Sequence, residues 1–129
     1  MITLEQIKAA HAKVKSGADF PAYIQDIKRI GVTHYETFVS DGHAVYHAAD
    51  GRNIASTPQY DPIEIAATCN PGQFQTDLLA HQQGKTDYLR FCNDCARSGV
   101  EKWIVRIDEM TCAYYDKAGK LVLVERIPQ

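Results

Sequence analysis

The sequence has no excess of basic residues and no long apolar run. Its 129 residues include 14 Lys and Arg against 16 Asp and Glu, and its pI is about 6.2. Phosphate backbones require a clustered positive surface, so we exclude nucleic acid as a direct ligand. No stretch approaches the length of a membrane span, and the charged, amphipathic start has no apolar signal core. We therefore expect a soluble cytoplasmic protein without a membrane partner.

Motifs of the common enzyme classes are also missing. The sequence has no nucleophile elbow, no zinc-binding H-E-x-x-H and no complete phosphate-binding loop. Gly84-Lys85-Thr86 matches the end of such a loop, but Leu79 occupies the position of its first glycine. We therefore interpret Thr86 as the N-cap of a helix. The motifs predict no catalytic residue, no cofactor and no resident metal.

What the sequence does contain is a unit of roughly 65 residues that occurs twice. Compared at an offset of 68 positions, the two segments match in residue class at helix, turn and strand positions. We predict a single domain, 1–129, built from two similar modules at about 1–62 and 68–129. The matching pairs include Asp19 and Asp87, Tyr23 and Phe91, Asp26 and Asp94, Arg29 and Arg97, Gly31 and Gly99, Tyr35 and Trp103, and Tyr46 and Tyr114.

Each module is expected to begin with two helices that have one apolar side. In the first module, Thr3 can cap a helix that Gly17 ends, and a second helix ends at Gly31. In the second module, Asn70-Pro71 opens a helix that breaks at Gly84, and the next helix ends at Gly99. The apolar sides contain Leu4, Ile7, His11 and Val14, then Phe20, Tyr23, Ile24, Ile27 and Ile30, and later Phe74, Leu78 and His81, then Tyr88, Phe91, Cys92 and Cys95. We expect His11 and His81 in the core or at its edge. We expect the pairs Asp26/Arg29 and Asp94/Arg97 in solvent, with an identical docking face in each half as the alternative.

After each helix pair the pattern changes to the alternation of a strand. Asp41-Gly42 predicts a two-residue turn, with Phe38 opposite Val45, Thr37 opposite Tyr46 and Glu36 opposite His47. A further strand is predicted at 121–127, and a short one at 63–67. The expected fold class is α+β, with two tandem helix-hairpin plus β-hairpin modules and the helices on one face of an antiparallel sheet. We assign to the core face Tyr35, Thr37, Val39, Ala44 and Tyr46, and in the second module Trp103, Val105, Ile107, Cys112 and Tyr114.

Cys92 and Cys95 have the C-x-x-C spacing of redox pairs and of half a zinc site. The repeat places them at the positions of Ile24 and Ile27, and no second C-x-x-C or C-x-x-H occurs. We interpret both cysteines as small buried apolar side chains, with a redox pair as the alternative. Because the sequence has no export features, we expect its four cysteines to be reduced.

The candidate ligand-binding residues are His34, Glu36, His43 and His47, on the hairpin face opposite the core. Imidazoles and a carboxylate on one face could bind a divalent metal or supply an acid and a base. Alternate residues of a strand are roughly 6.6 Å apart, so only His34, Glu36 and His47 could converge. The alternative is a solvated face on which Glu36 and His47 form a cross-strand pair.

Several segments of the chain resemble one family of small proteins. They are 81–88, 91–92, 99–103, 110–116 and 123–128, with the Asp41-Gly42 hairpin and 57–65 in the first module. These segments are similar to the YdfO/YbcV-like family of bacterial and prophage-encoded proteins, and the similarity covers nearly the whole chain. The resemblance implies an α+β fold, an uncharacterised function and no catalytic residues. Some members carry the label phage envelope protein, which we treat as an inherited name.

Two classes of function fit these observations. In the first, the chain is a non-enzymatic binding or regulatory protein whose modules present a pseudo-symmetric surface or groove to a protein or a small ligand. A homodimer through exposed strand edges is one form of this hypothesis. In the second, His34, Glu36 and His47 serve a small metal-dependent or acid–base hydrolase. We favour the first class because the repeat is not accompanied by a catalytic motif.

Overall fold

The computed structural model describes residues 3–14 and 19–127. Within them the chain forms an α+β fold, as predicted, in which each half supplies two helices followed by three strands. The first half contains α1 (Leu4–His11), α2 (Phe20–Arg29), β1 (Val32–Phe38), β2 (Ala44–Ala48) and β3 (Asn53–Ala55). The second half contains α3 (Pro71–Gln82), α4 (Tyr88–Arg97), β4 (Val100–Arg106), β5 (Thr111–Asp116) and β6 (Leu121–Arg126).

Capping side chains explain where most of the helices begin. Thr3 and Gln6 form a reciprocal capping box at the start of α1, while the end predicted at Gly17 lies outside the described residues. Asn70 caps α3, as predicted. Asp87, and not Thr86, caps α4 by accepting a hydrogen bond from the Arg90 N–H at 2.8 Å. In the described part of the chain, no helix combines the length and the apolar character needed to cross a membrane.

The strands of the described residues form a six-stranded antiparallel sheet with the order β3-β2-β1-β4-β5-β6. The predicted hairpin register is wrong by two residues, because Tyr46 pairs with Tyr35 instead of Thr37. The turn is longer than two residues, since the Phe38 N–H donates to the His43 carbonyl and the Gly42 N–H donates to the Phe38 carbonyl. Val39 does not pair within the hairpin, and its N–H donates instead to the Glu101 carbonyl. A shift of two residues leaves every side chain on its predicted face.

Residues 63–67 do not form the predicted strand. Their backbone instead links two distant parts of the chain, since the Ile63 N–H donates to the Ser40 carbonyl and the Ala66 N–H donates to the Ala96 carbonyl. Backbone bonds to a turn and to a helix end leave this segment without a strand partner. The alternating apolar residues of this segment therefore reflect burial, as at Ile65, and not a strand of the sheet.

The core lies between the helices and one face of the sheet. All ten residues assigned to that face are buried, so this prediction is confirmed. Cys92 and Cys95 are fully buried, as are Ile24 and Ile27. The expectation that Asp94 is solvated is wrong, because its side chain is only 4% exposed and contacts both Arg90 and Arg97. Its counterpart Asp26 remains partly exposed.

Candidate functional site

A cavity of about 1120 Å³ lies between the helices and the core face of the sheet. Residues of α1, α2, α3 and α4 line it from above, and β1, β2, β4 and β5 form its floor. Its volume lies slightly above the usual range of small-molecule sites, which is roughly 300–1000 Å³. The fold therefore leaves enough space, open in part to solvent, for a ligand with several rings.

The floor of the cavity is mainly aromatic. Tyr35 and Tyr46 stack across β1 and β2 with ring centroids 5.1 Å apart. In the second half, Trp103 lies 6.1 Å from Tyr114 and 5.8 Å from Phe91, measured between ring centroids. Thr37 and Trp103 are direct partners in the β1–β4 ladder, so the two halves of the chain meet at the centre of this floor.

The tyrosines that line the cavity are uncharged at physiological pH. The hydroxyl groups of Tyr23 on α2 and Tyr46 on β2 are 3.1 Å apart and share a hydrogen bond. Burial raises the pKa of both phenols above the usual value of 10.0. The same cause raises the pKa of Tyr35 and Tyr114, so the aromatic wall presents neutral rings and hydroxyl groups at physiological pH.

Two histidines line the same cavity. His81 stacks on Phe91 with ring centroids 4.3 Å apart, and its Nδ1 lies 3.1 Å from the carbonyl oxygen of Thr86. A carbonyl can only accept, so Nδ1 must donate, and Nε2 of the neutral ring carries a free lone pair. His11 makes edge contacts with Tyr23 and Tyr88. Burial lowers the pKa of both histidines, so both are mainly neutral near pH 7.

The four candidate residues from the sequence lie on the outer face of the hairpin, where they divide into three separate contacts. His34 and His47 stack on each other with ring centroids 4.3 Å apart. Glu36 lies opposite Val45 and accepts a hydrogen bond from Lys102 Nζ at 3.5 Å, so the predicted Glu36–His47 pair is wrong. His43 contacts Asp41, with Nδ1 2.6 Å from Oδ1.

This outer face offers pairs of polar groups and not a metal centre. The described residues contain no group of three or more His, Cys, Asp and Glu side chains that could hold an ion. Partial burial, together with the neighbouring His47, lowers the pKa of His34. The face therefore combines a stacked pair of imidazole rings with the Lys102–Glu36 ion pair.

The sequence pattern placed the residues that line the cavity in the core and did not predict a cavity between them. One signal was available. The core face includes Tyr35, Tyr46, Trp103 and Tyr114, and buried Tyr and Trp side chains need partners for their polar atoms. A core built only for packing would favour aliphatic side chains at such positions.

Two comparisons show which known proteins the chain resembles. A family model described as "Protein of unknown function (DUF1398)" matches residues 8–126. The chain is also similar to the "Uncharacterized protein YcgX" of Escherichia coli (strain K12), with 19% identity over 115 residues that cover 89% of this chain and 86% of that protein. Neither description names an activity, a ligand or a partner.

Proposed function

The chain belongs to the DUF1398 family of proteins of unknown function, and we propose that it is a non-enzymatic protein that binds one small, mainly apolar molecule. The binding site is the cavity of about 1120 Å³ between the helices and the sheet. The volume of this cavity is the observation that carries the proposal, because protein interiors are otherwise packed with few voids larger than a water molecule.

The chemistry of the lining supports a mainly apolar ligand. Pockets for small molecules are usually lined by apolar and aromatic side chains with a small number of polar groups. Here the wall contains the rings of Tyr23, Phe91 and Trp103, while the charged residues that line the cavity include Lys8 and Arg126, which are exposed. A ligand would therefore enter past charged side chains and rest against neutral rings.

Titration with N-phenyl-1-naphthylamine, an uncharged dye that fluoresces in apolar surroundings, tests the proposal. We expect saturable binding of one dye per chain. Ala44→Trp introduces a large ring on the cavity floor, so it should weaken binding at least fivefold. Ala113→Trp is the matched control, since Ala113 lies on the outer face opposite Ile104. Equal binding by both variants, with both folded, would contradict the proposal.

The other expectations from the sequence also stay proposals. A regulatory role would follow if ligand binding changed the affinity for a protein partner or for a second copy of the chain, which sedimentation with and without ligand can test. A prophage origin depends only on the YdfO/YbcV-like resemblance, and a cytoplasmic location is tested by fractionation. The hydrolase hypothesis receives less support, because Glu36 is engaged by Lys102 and not by His34 or His47.

A further inference from the structure

Three polar side chains on the cavity floor have no hydrogen-bond partner within the described residues. They are Tyr35, Thr37 and Trp103, whose residues are only 3%, 4% and 6% exposed. Their polar atoms are nevertheless not sealed in protein, since among the described residues only Ser98 Oγ is both enclosed and unpartnered. All three residues line the cavity. The open space that their polar atoms face is therefore the cavity itself.

The three side chains are neighbours on one face of the central strands. Thr37 and Trp103 are direct cross-strand partners, and Tyr35 lies two residues from Thr37 on the same face of β1. Neighbouring strands are about 4.8 Å apart, and alternate residues of one strand are roughly 6.6 Å apart. By contrast, Tyr60 donates to the Val39 carbonyl, so its hydroxyl hydrogen is already used.

Tyr35, Thr37 and Trp103 form a polar patch on the cavity floor, and their hydrogen-bonding groups determine what this patch can bind. The indole N–H of Trp103 can only donate, and the hydroxyl groups of Tyr35 and Thr37 can also donate. Burying such donors without an acceptor is unfavourable, so the ligand must bring an acceptor to the floor. Among the described residues, the charged groups that line the cavity belong to Lys8, Asp87, Glu125 and Arg126, and none of these four is on the central strands.

We propose that Tyr35, Thr37 and Trp103 bind the carbonyl oxygen of an uncharged aromatic molecule, whose rings occupy the rest of the cavity. This inference rests on the proposed function and specifies its ligand class. A carboxylate on the same patch would be buried without a counterion, which proteins avoid. A hydrocarbon would leave the three donors unpaired. A neutral carbonyl oxygen can accept from Trp103 and one of the two hydroxyl groups through its two lone pairs, and its desolvation costs less than that of a carboxylate.

Two compounds of the same shape test this inference. They are 2-acetylnaphthalene, which has a carbonyl, and 2-isopropenylnaphthalene, which has a methylene in its place. Trp103 is the only tryptophan of the chain, so quenching of its fluorescence measures both dissociation constants. We expect the double variant Tyr35→Phe, Thr37→Val to reduce the preference for the ketone roughly tenfold, since a site built for hydrogen bonding discriminates against analogues that lack the group.

The controls separate a hydrogen bond from a change in packing. Valine at position 37 reproduces the residue that the second module has at 105, and Thr37→Ser, which keeps the hydroxyl group, should retain the preference. Thr111→Val changes a half-buried threonine on the outer face and should have no effect. In a ¹H–¹⁵N spectrum, the single indole N–H signal should move downfield with the ketone and much less with the alkene.

The outcomes distinguish this inference from the proposed function. If both compounds bind and the double variant leaves their ratio unchanged, the assignment of the donors is wrong, while the cavity remains a binding site. If 2-naphthoate binds more tightly than 2-acetylnaphthalene, the ligand class is wrong. If neither compound nor N-phenyl-1-naphthylamine binds, the proposed function fails together with the inference.

Discussion

His34 and His47 face each other across β1 and β2, with ring centroids 4.3 Å apart and ring planes within 4° of parallel. The lone pairs of an imidazole lie in the plane of its ring, so those of two stacked rings lie in parallel planes and cannot converge on one ion. Partial burial, and after it the neighbouring His47, lowers the pKa of the His34 ring in this stack.

From this geometry we expect no stoichiometric binding of Zn²⁺ at the outer face of the hairpin. Calorimetric titration of the reduced protein with Zn²⁺ should show no saturable site that depends on these two rings. The His34→Ala variant is the control, because it should behave like the unmodified protein. A one-to-one zinc complex that this substitution abolishes would contradict the prediction and would favour the hydrolase hypothesis.

Stability should fall as the pH is lowered below about 6.5, partly because of His81. Burial lowers the pKa of this ring below 6.5 in the folded state. Above pH 6.5 the His81 imidazole is mainly neutral in both the folded and the unfolded protein. As the pH falls below 6.5, the imidazole of the unfolded protein binds a proton first, so the free energy of unfolding decreases. Urea unfolding at pH 7.5 and 5.0 should show a smaller decrease for His81→Gln. An equal decrease in both proteins would show that His81 does not contribute.

Gly99 is expected to be far less replaceable than Gly119, although both have a φ of +84°. In either position, alanine is strained in the left-handed region by roughly 1–2 kcal/mol. At Gly99 the new Cβ would also lie 2.7 Å from the Cys69 Cα and from the Thr68 carbonyl oxygen, whereas at Gly119 nothing lies within 4 Å. Gly99→Ala should therefore reduce the free energy of unfolding by about 3 kcal/mol or more, against about 1 kcal/mol for Gly119→Ala. Similar losses in chemical denaturation would refute this account of the contact.

Only one of the four cysteines should react with Ellman's reagent in the folded protein. Cys69 is partly exposed, whereas Cys92, Cys95 and Cys112 are buried. Burial raises the pKa of all four thiols, so exposure to the reagent, rather than the pKa, sets Cys69 apart. We expect one thiol to be labelled quickly and three at the rate of unfolding, with Cys69→Ser removing the fast phase. Fast labelling of Cys92 or Cys95 would favour the redox alternative.

The sequence predicted the elements and their inner faces well but failed at contacts between distant residues. The alternation in β1 and β4 marked the buried positions, since burial on one side of a strand selects every second residue. The hairpin register was wrong because the Asp41-Gly42 signal contains no information about Val39, which bonds to Glu101 in β4. The burial of Asp94 was missed because i,i+3 spacing places it near Arg97 and does not reveal which other elements pack over it.

The sequence placed the four candidate residues on one face of the hairpin but paired them incorrectly. His34, Glu36, His43 and His47 share the outer face, as expected, yet their partners are His47, Lys102, Asp41 and His34 respectively. Lys102 belongs to the second half of the chain, so no pattern within the first hairpin could identify it. The duplication of the modules stays a prediction, and Ile24 and Cys92, its aligned pair in the core, are both fully buried.

By itself, the sequence determined the fold class and the composition of the buried faces. Each side chain is either apolar or polar, and the spacing of the apolar residues along the chain identifies helices and strands. Only the tertiary structure decided that the two layers leave a cavity between them. The volume of a cavity depends on how closely elements far apart in the chain approach each other, and no local spacing of residues specifies that distance. The same aromatic residues would have formed a solid core had the helices packed closer to the sheet.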